Sequence, residues 1–328
     1  MRSAGCARLA AAAMLLALAL LPPEMARADG PEYVHVVRPG ETLASIAQLY
    51  YGDARRESVL VAENGLTTQG GAAIVVGLRL TIPRVSHHRV AAGETWAQIA
   101  TRYFGDPRRA SELILANPQV SRTQPDEGAE LLIPYPLRHV ARQGDTMRRI
   151  AQLYYGDQSE AARLMRFNSI RRQRLSRGQI VLVPLSDLVL TEEGRRAIEA
   201  ATGTPVTGGE VRALQMRINE QLPLLREHVR RGRYPEAIAL GNRLLGAGEL
   251  TGNQIVTIHR ELAVAYVALD RPDLAAEAFA EALERQPDLE LDTRRTSPTV
   301  LRAFEQARQR RARGGPPAAD GGVDAGAP

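Results

Sequence analysis

The chain has 328 residues, 44% of them hydrophobic and 24% charged, which excludes a mostly disordered or fibrous polymer and exceeds one ordinary domain. Its net charge is +5 with a pI near 9.7, a balance that suits an anionic partner, and all 42 basic residues are arginine, which reads as a genome composition bias. The one cysteine, Cys6, precedes an apolar leader, so the exported chain is expected to have neither a disulfide nor a thiol nucleophile.

At the N-terminus, Arg2 and Arg8, the apolar run Leu9–Leu21 and then Ala26-Arg27-Ala28 match a secretory signal over 1–28, cleaved before Asp29. The run is too short for a comfortable membrane span, and no later stretch reaches that length.

One frame then recurs three times, over 29–84, 85–136 and 137–186. Its leading motifs are Gly40-Glu41-Thr42-Leu43, Gly93-Glu94-Thr95-Trp96 and Gly144-Asp145-Thr146-Met147. Twelve residues on stands Gly52-Asp53, Gly105-Asp106 or Gly156-Asp157, and twelve further Asn64, Asn117 or Asn168. A glycine six residues before a proline closes each copy: Gly77/Pro83, Gly128/Pro134 and Gly178/Pro184. Only the stretch between the asparagine and the closing glycine varies in length, which marks it as a loop.

Each copy predicts a short strand ending at a glycine turn, as in His35-Val36-Val37, followed by a threonine-capped helix. Leu43, Ile46, Ala47 and Tyr50 form an apolar helical stripe that the other copies repeat from Trp96 and Met147. The second Gly fits a left-handed helix end and the Asp after it a new cap. Leu60-Val61, Leu113-Ile114 and Leu164-Met165 supply the inner face of a second helix. Leu80/Ile82, Leu131/Ile133 and Val181/Val183 alternate as a closing strand with one face inward. The unit is strand-helix-helix-strand.

These motifs resemble the LysM module, over residues 34–184. The resemblance implies binding of N-acetylglucosamine-containing glycans, peptidoglycan or chitin, in a shallow groove between the first turn and the loop before the last strand. It implies groove residues Gly40, Glu41, Thr42, Leu43, Asn64 and Ile74 in the first copy. In the second these are Gly93, Glu94, Thr95, Trp96 and Asn117, and in the third Gly144, Asp145, Thr146, Met147, Asn168, Ser169 and Leu175. Trp96 reads either as a platform for a pyranose ring or as a core residue of its helix. The first copy departs from the pattern by the insert Thr67–Gly71, and the second by Pro125 where the others have Ile74 and Leu175.

A connector over 187–210 predicts one helix near Glu192–Ala201, and helices dominate over 211–312. There His259, Leu262, Ala263, Tyr266, Ala275, Phe279, Ala282 and Pro287 resemble a tetratricopeptide repeat, which implies a surface for a protein partner or a packing element. A weaker copy precedes it, with Leu224, Gly232, Tyr234, Ala237 and Leu244, and Gly241 in place of a large aromatic. Ser297-Pro298 starts a closing helix over Thr299–Arg310. The Gly/Ala/Pro-rich 313–328 reads as a disordered tail. The fold class expected is therefore three α+β modules followed by an all-α helical-repeat domain.

Catalysis is not expected. The connector is too short for a hydrolase fold, and no His-Glu-x-x-His, Gly-x-Ser-x-Gly or phosphate loop occurs. Glycosidase carboxylates would need a formed cleft between them. His35, His88 and His139 lie in separate copies, so they cannot converge on one metal ion and read as packing residues. Neither cofactor nor metal is expected. Arg171-Arg172, Arg174 and Arg177 form the one dense basic patch, read as a solvated loop, and no nucleic-acid partner is expected of an exported chain. The expectation is an exported, non-catalytic glycan-binding adaptor in the periplasm, cell envelope or medium. A spacer of an envelope or secretion complex whose modules bind no sugar is the alternative.

Overall fold

A computed structural model describes residues 33–66 and 74–313; the expected signal segment, the insert Thr67–Gly71 and the tail after Arg313 lie outside the described residues. The first repeat runs β1 (Tyr33–Val36), α1 (Leu43–Tyr51), α2 (Glu57–Glu63) and β2 (Arg79–Ile82). The second runs β3 (Ser86–Arg89), α3 (Trp96–Phe104), α4 (Ala110–Ala116) and β4 (Glu130–Ile133). The third runs β5 (Tyr135–Val140), α5 (Met147–Tyr155), α6 (Ala161–Phe167) and β6 (Ile180–Leu185). Each closes a two-stranded sheet, β1 antiparallel to β2 with Tyr33 opposite Ile82, and β5 antiparallel to β6 with Tyr135 opposite Leu185.

The threonine caps form as the sequence predicts. Thr42, Thr95 and Thr146 each accept from the backbone N–H three residues on, and Gly52, Gly105 and Gly156 end the helices with φ near +70°. The aspartates cap a three-residue 3₁₀ turn that leads into the second helix, rather than that helix itself.

Chain contacts divide the described residues into two units. The first holds the first and third repeats, the helices of the second, and the connector through Thr207. Its repeats share cores: Val59 of the first and Val85 and Leu132 of the second pack with Leu137, Met147, Ile150 and Leu164 of the third. This corrects the closing-strand reading. β2 alternates as expected, but β4 and β6 bury consecutive residues, because neighbouring chain covers the face that would otherwise meet water. Charged groups cement the same contacts. Arg56 donates to the Tyr154 carbonyl at 2.7 Å and pairs with Asp187, while Arg109 donates to the Phe167 carbonyl at 3.0 Å. Arg163 pairs with the buried Glu112 at 3.0 Å, and Phe104 meets Phe167 edge-on at 5.4 Å.

The connector is not a free link. Its helix α7 (Glu192–Thr202) packs on α1, with Leu190 and Ile198 inside the first repeat's core. The Thr191 backbone N–H donates to the Tyr50 carbonyl at 2.9 Å and its hydroxyl to the Leu49 carbonyl at 2.5 Å, satisfying the end of α1 while the same hydroxyl caps α7.

The second unit joins residues 89–94 and 119–131 to the helical region from Gly208. Its helices are α8 (Glu210–Arg230), α9 (Tyr234–Leu245), α10 (Gly252–Ala268), α11 (Pro272–Arg285) and α12 (Pro298–Ala312). Leu262, Ala263, Ala275, Phe279 and Ala282 are buried as the sequence implies, and Phe279 meets Phe304 of the closing helix at 5.2 Å. Leu224 is exposed, with Leu225 turned inward in its place. Gly241 is small for a packing reason: a Cβ there would lie 2.6 Å from a Leu262 methyl.

Gly194 lets α7 lie close against α1, since a Cβ there would meet the Tyr50 Cα at 3.0 Å. Gly194→Val is expected to destabilise the fold by about 1–3 kcal/mol in urea unfolding. Gly156→Ala, with nothing within 4 Å of its Cβ, should cost only the left-handed backbone penalty, about 1 kcal/mol.

Candidate functional site

In each repeat the expected groove is bounded by the turn at the leading glycine and the loop that ends at the closing glycine. In the first, the Val37 N–H donates to the Leu78 carbonyl and the Gly77 N–H to the Val37 carbonyl, at 2.9 and 2.8 Å, which sets the loop tip beside the turn. Gly40 is exposed at φ +83°, Val75 and Val76 are 64% and 63% exposed, and Ile74 is half-buried against the core.

Most of the residues implied for the groove have internal work. Leu43, Trp96 and Met147 are 6%, 4% and 0% exposed, because each opens the apolar stripe of its helix. A sugar face has no access to them, which settles Trp96 as a core residue. Thr42, Thr95 and Thr146 spend a side-chain acceptor as helix caps.

The asparagines are clamps. Asn64 donates to the carbonyls of Leu60 and Thr81, at 2.9 and 3.0 Å, and accepts from the Thr81 N–H at 2.7 Å. Asn117 and Asn168 repeat this with Leu113 and Leu132, and with Leu164 and Leu182. One primary amide thus ties the second helix to the closing strand, using both its N–H donors and one acceptor site of its oxygen.

The acidic residue of the leading motif belongs to a relay. Glu41 accepts from the Arg38 N–H at 2.7 Å and meets His35 Nε2 at 2.8 Å, while His35 Nδ1 meets the Tyr50 hydroxyl at 3.0 Å. Burial opposes the charge of Glu41, but the Arg38 N–H and His35 outweigh it and hold its pKa below the usual value. Asp145, His139 and Tyr154 repeat the set, with 3.4 and 2.9 Å to the imidazole. In the second repeat His88 meets Tyr103 at 3.2 Å, and Glu94 accepts from the Ala91 N–H at 3.0 Å. The packing role expected for the histidines holds, and their polar partners were missed. The signal was present: His, acid and Tyr recur at fixed offsets of six and fifteen residues.

The three loop tips differ. The third is drawn onto its turn, with the Met147 N–H donating to the Gln173 carbonyl and the Leu175 N–H to the Asp145 carbonyl, at 2.9 and 3.2 Å. Gly144 stays exposed, Leu175 is buried, and Ser169 sits exposed at φ +53°. Gly65 occupies that left-handed position in the first repeat at φ +60°. Pro118 stands there in the second, and its ring forbids positive φ, so the chain leaves Asn117 in another direction.

Within the second unit, the tip of that loop is bonded to helices. The Glu130 carboxylate accepts from the N–H groups of Gly209 and Arg212 at the start of α8, at 3.0 and 2.8 Å. Gln215 donates to the carbonyls of Gly128 and Glu249, both at 2.8 Å, and accepts from the Glu130 N–H at 3.0 Å. The Gly252 N–H donates to the Glu127 carbonyl at 3.1 Å, and Asn253 donates to Asp126. Gly93 remains exposed at φ +73°. Among the described residues, no group of three or more His, Cys, Asp or Glu could hold a metal, and no helix is long and apolar enough to cross a membrane.

The family model of the LysM domain matches residues 35–83 and 139–184, the first and third repeats. Modules of that family bind peptidoglycan and N-acetylglucosamine glycans, which supports a binding role. Two proteins named as esterases, from the CDC 1551 and H37Rv strains of Mycobacterium tuberculosis, are each 33% identical over 129 residues, 38% of this chain. The chain covers 27% of the length of these relatives.

Asn168→Ala should strip the Leu182 N–H and carbonyl of their amide partner, while the Leu164 carbonyl keeps the backbone N–H of residue 168, and lower stability by about 1–3 kcal/mol, read as a lower urea midpoint. Burial holds His139 below the ordinary histidine pKa against the pull of Asp145. Its contribution to stability is therefore complete above that ordinary value and is lost as pH falls through it toward the folded pKa. The His139 ring resonance should titrate in NMR at lower pH than in the unfolded chain.

Proposed function

We propose that this chain is an exported, non-catalytic adaptor that holds peptidoglycan, or a related polymer of N-acetylglucosamine, through its βααβ repeats and engages a protein partner through its helical region. The LysM match over the first and third repeats carries the reading. Open rims support it: in the first repeat, exposed Val75 and Val76 stand beside a turn whose glycine leaves the backbone approachable. The apolar pair would lie against a pyranose face while turn amides bond the N-acetyl group. Each such contact is weak, but a second in the same packed unit raises the effective concentration, and avidity then exceeds single-site affinity by about 10².

The middle repeat is, on this reading, a third module of the same family whose loop has been given over to the helical region. The tetratricopeptide-like spacing of α10 and α11 supports a protein partner there. The N-terminal basic and apolar segment supports export to the periplasm or cell envelope. The absence of a nucleophile motif and the use of the connector as part of the first repeat's core support a binding role over ester hydrolysis.

A second reading, a spacer of an envelope assembly that binds no sugar, is favoured by two observations: the backbone bonds drawing the third loop onto its turn, and the bonding of the second loop to α8 and α10. Co-sedimentation of the full chain with purified peptidoglycan and with chitin separates the two. The adaptor reading expects retention on both, no soluble muropeptide or ester product, and about tenfold weaker retention of Val75→Glu/Val76→Glu. A parent chain left in the supernatant would favour the spacer, and a double variant retained like the parent would move the groove elsewhere.

A further inference from the structure

Charge is distributed very unevenly among the repeats. Residues 137–186 carry ten arginines against three acidic residues, whereas 29–84 and 85–136 each carry five arginines against six. The third repeat is thus +7 in a chain whose net charge is only +5. A uniform arginine bias would not gather the charge in one of three homologous frames.

The fold gathers it further. The Thr146–Arg174 bridge and the bonds from Met147 N–H and Leu175 N–H lay the 171–177 loop along the turn and first helical residues 142–149. That rim presents Arg171, Arg172, Arg174 and Arg177 on one side and Arg148 and Arg149 on the other, all exposed. Among the described residues, none of these six forms an ion pair. The one acid within the rim, Asp145, is committed to the Arg142 N–H and His139. Like charges gathered on one rim repel one another, a cost that a multivalent anion would relieve. The first repeat has Val75 and Val76 where this one has Ser176 and Arg177.

We propose that the rim of the third repeat is an oxyanion-binding surface for the carboxylate-bearing peptides that branch from the glycan strand, so that the first repeat reads the neutral sugar and the third its charged substituents. This rests on the peptidoglycan-binding reading above. Guanidinium groups bond carboxylates in pairs, and several spaced along one edge suit carboxylates repeated along a polymer rather than a single small ion.

The test uses the full chain and the variant Arg171→Gln/Arg172→Gln/Arg174→Gln/Arg177→Gln. Retention is measured on peptide-bearing peptidoglycan, on the same material after an amidase has removed its peptides, on material acid-extracted to remove phosphodiester polymers, and on chitin. The parent is expected to hold peptide-bearing material about tenfold more tightly than stripped material or chitin, an advantage that fades between about 0.05 and 0.5 M salt. The variant should lose that advantage and keep chitin binding, which also reports that it is folded. No loss on peptide-bearing material, or an equal loss on chitin by a variant whose circular dichroism and urea midpoint match the parent's, overturns the inference, while the parent's own retention on chitin keeps the glycan reading standing. Loss of the advantage on acid extraction but not on amidase treatment also overturns it, assigning the rim to phosphates. A parent that binds none of the materials defeats the underlying glycan reading.

Discussion

The asparagine amide that joins the second helix to the closing strand is the interaction on which each repeat depends. A two-stranded sheet is marginal by itself, and a seven-residue helix more so. Asn64, Asn117 and Asn168 connect the two, each satisfying a helix carbonyl and both polar groups of one strand residue. With helix and strand held together, the intervening loop can vary without loosening the fold. The Tyr51 and Tyr155 hydroxyls, donating to the carbonyls of Pro83 and Pro184, add a second tie from the first helix to the end of the closing strand.

That freedom is visible in what the loops have become. One frame carries two valines at its tip, another Asp126-Glu127 bonded to α10, and another Ser176-Arg177 within a cationic edge. The glycine after each tip keeps positive φ in all three, so the backbone path is retained while the chemistry changes. In the second repeat even that glycine is enclosed, with a Cβ 3.3 Å from the Leu250 carbonyl, whereas Gly77 and Gly178 face open space.

The elements were largely legible in the sequence, because their signals are local: a threonine cap, a stripe at helical spacing, a glycine at positive φ. Helix α7 and the closing helix α12 were legible for the same reason. What the sequence did not disclose was pairwise. Nothing in the motif distinguishes an asparagine that meets a sugar from one that bonds Leu182, or a leading Leu43 that faces solvent from one that faces the core. The burial of Leu132 and Leu182 on the outer face of their strands depends on neighbours that periodicity does not report. The His–acid–Tyr relay recurs at constant spacing, and the repetition itself was the available clue.

The guanidinium groups of Arg56 and Arg109, from the first and second βααβ units and each seated on a backbone carbonyl of the third, have a mechanical meaning. Beads on a string adapt to any curvature of the fibre they follow, paying with chain entropy for each attachment. Units mortared together pay nothing of that kind, but they accept only fibres whose own pitch brings the right substituents round at the right interval. On the proposed glycan-binding reading the protein is a calliper more than a net, with its selectivity residing in spacing as much as in any one notch.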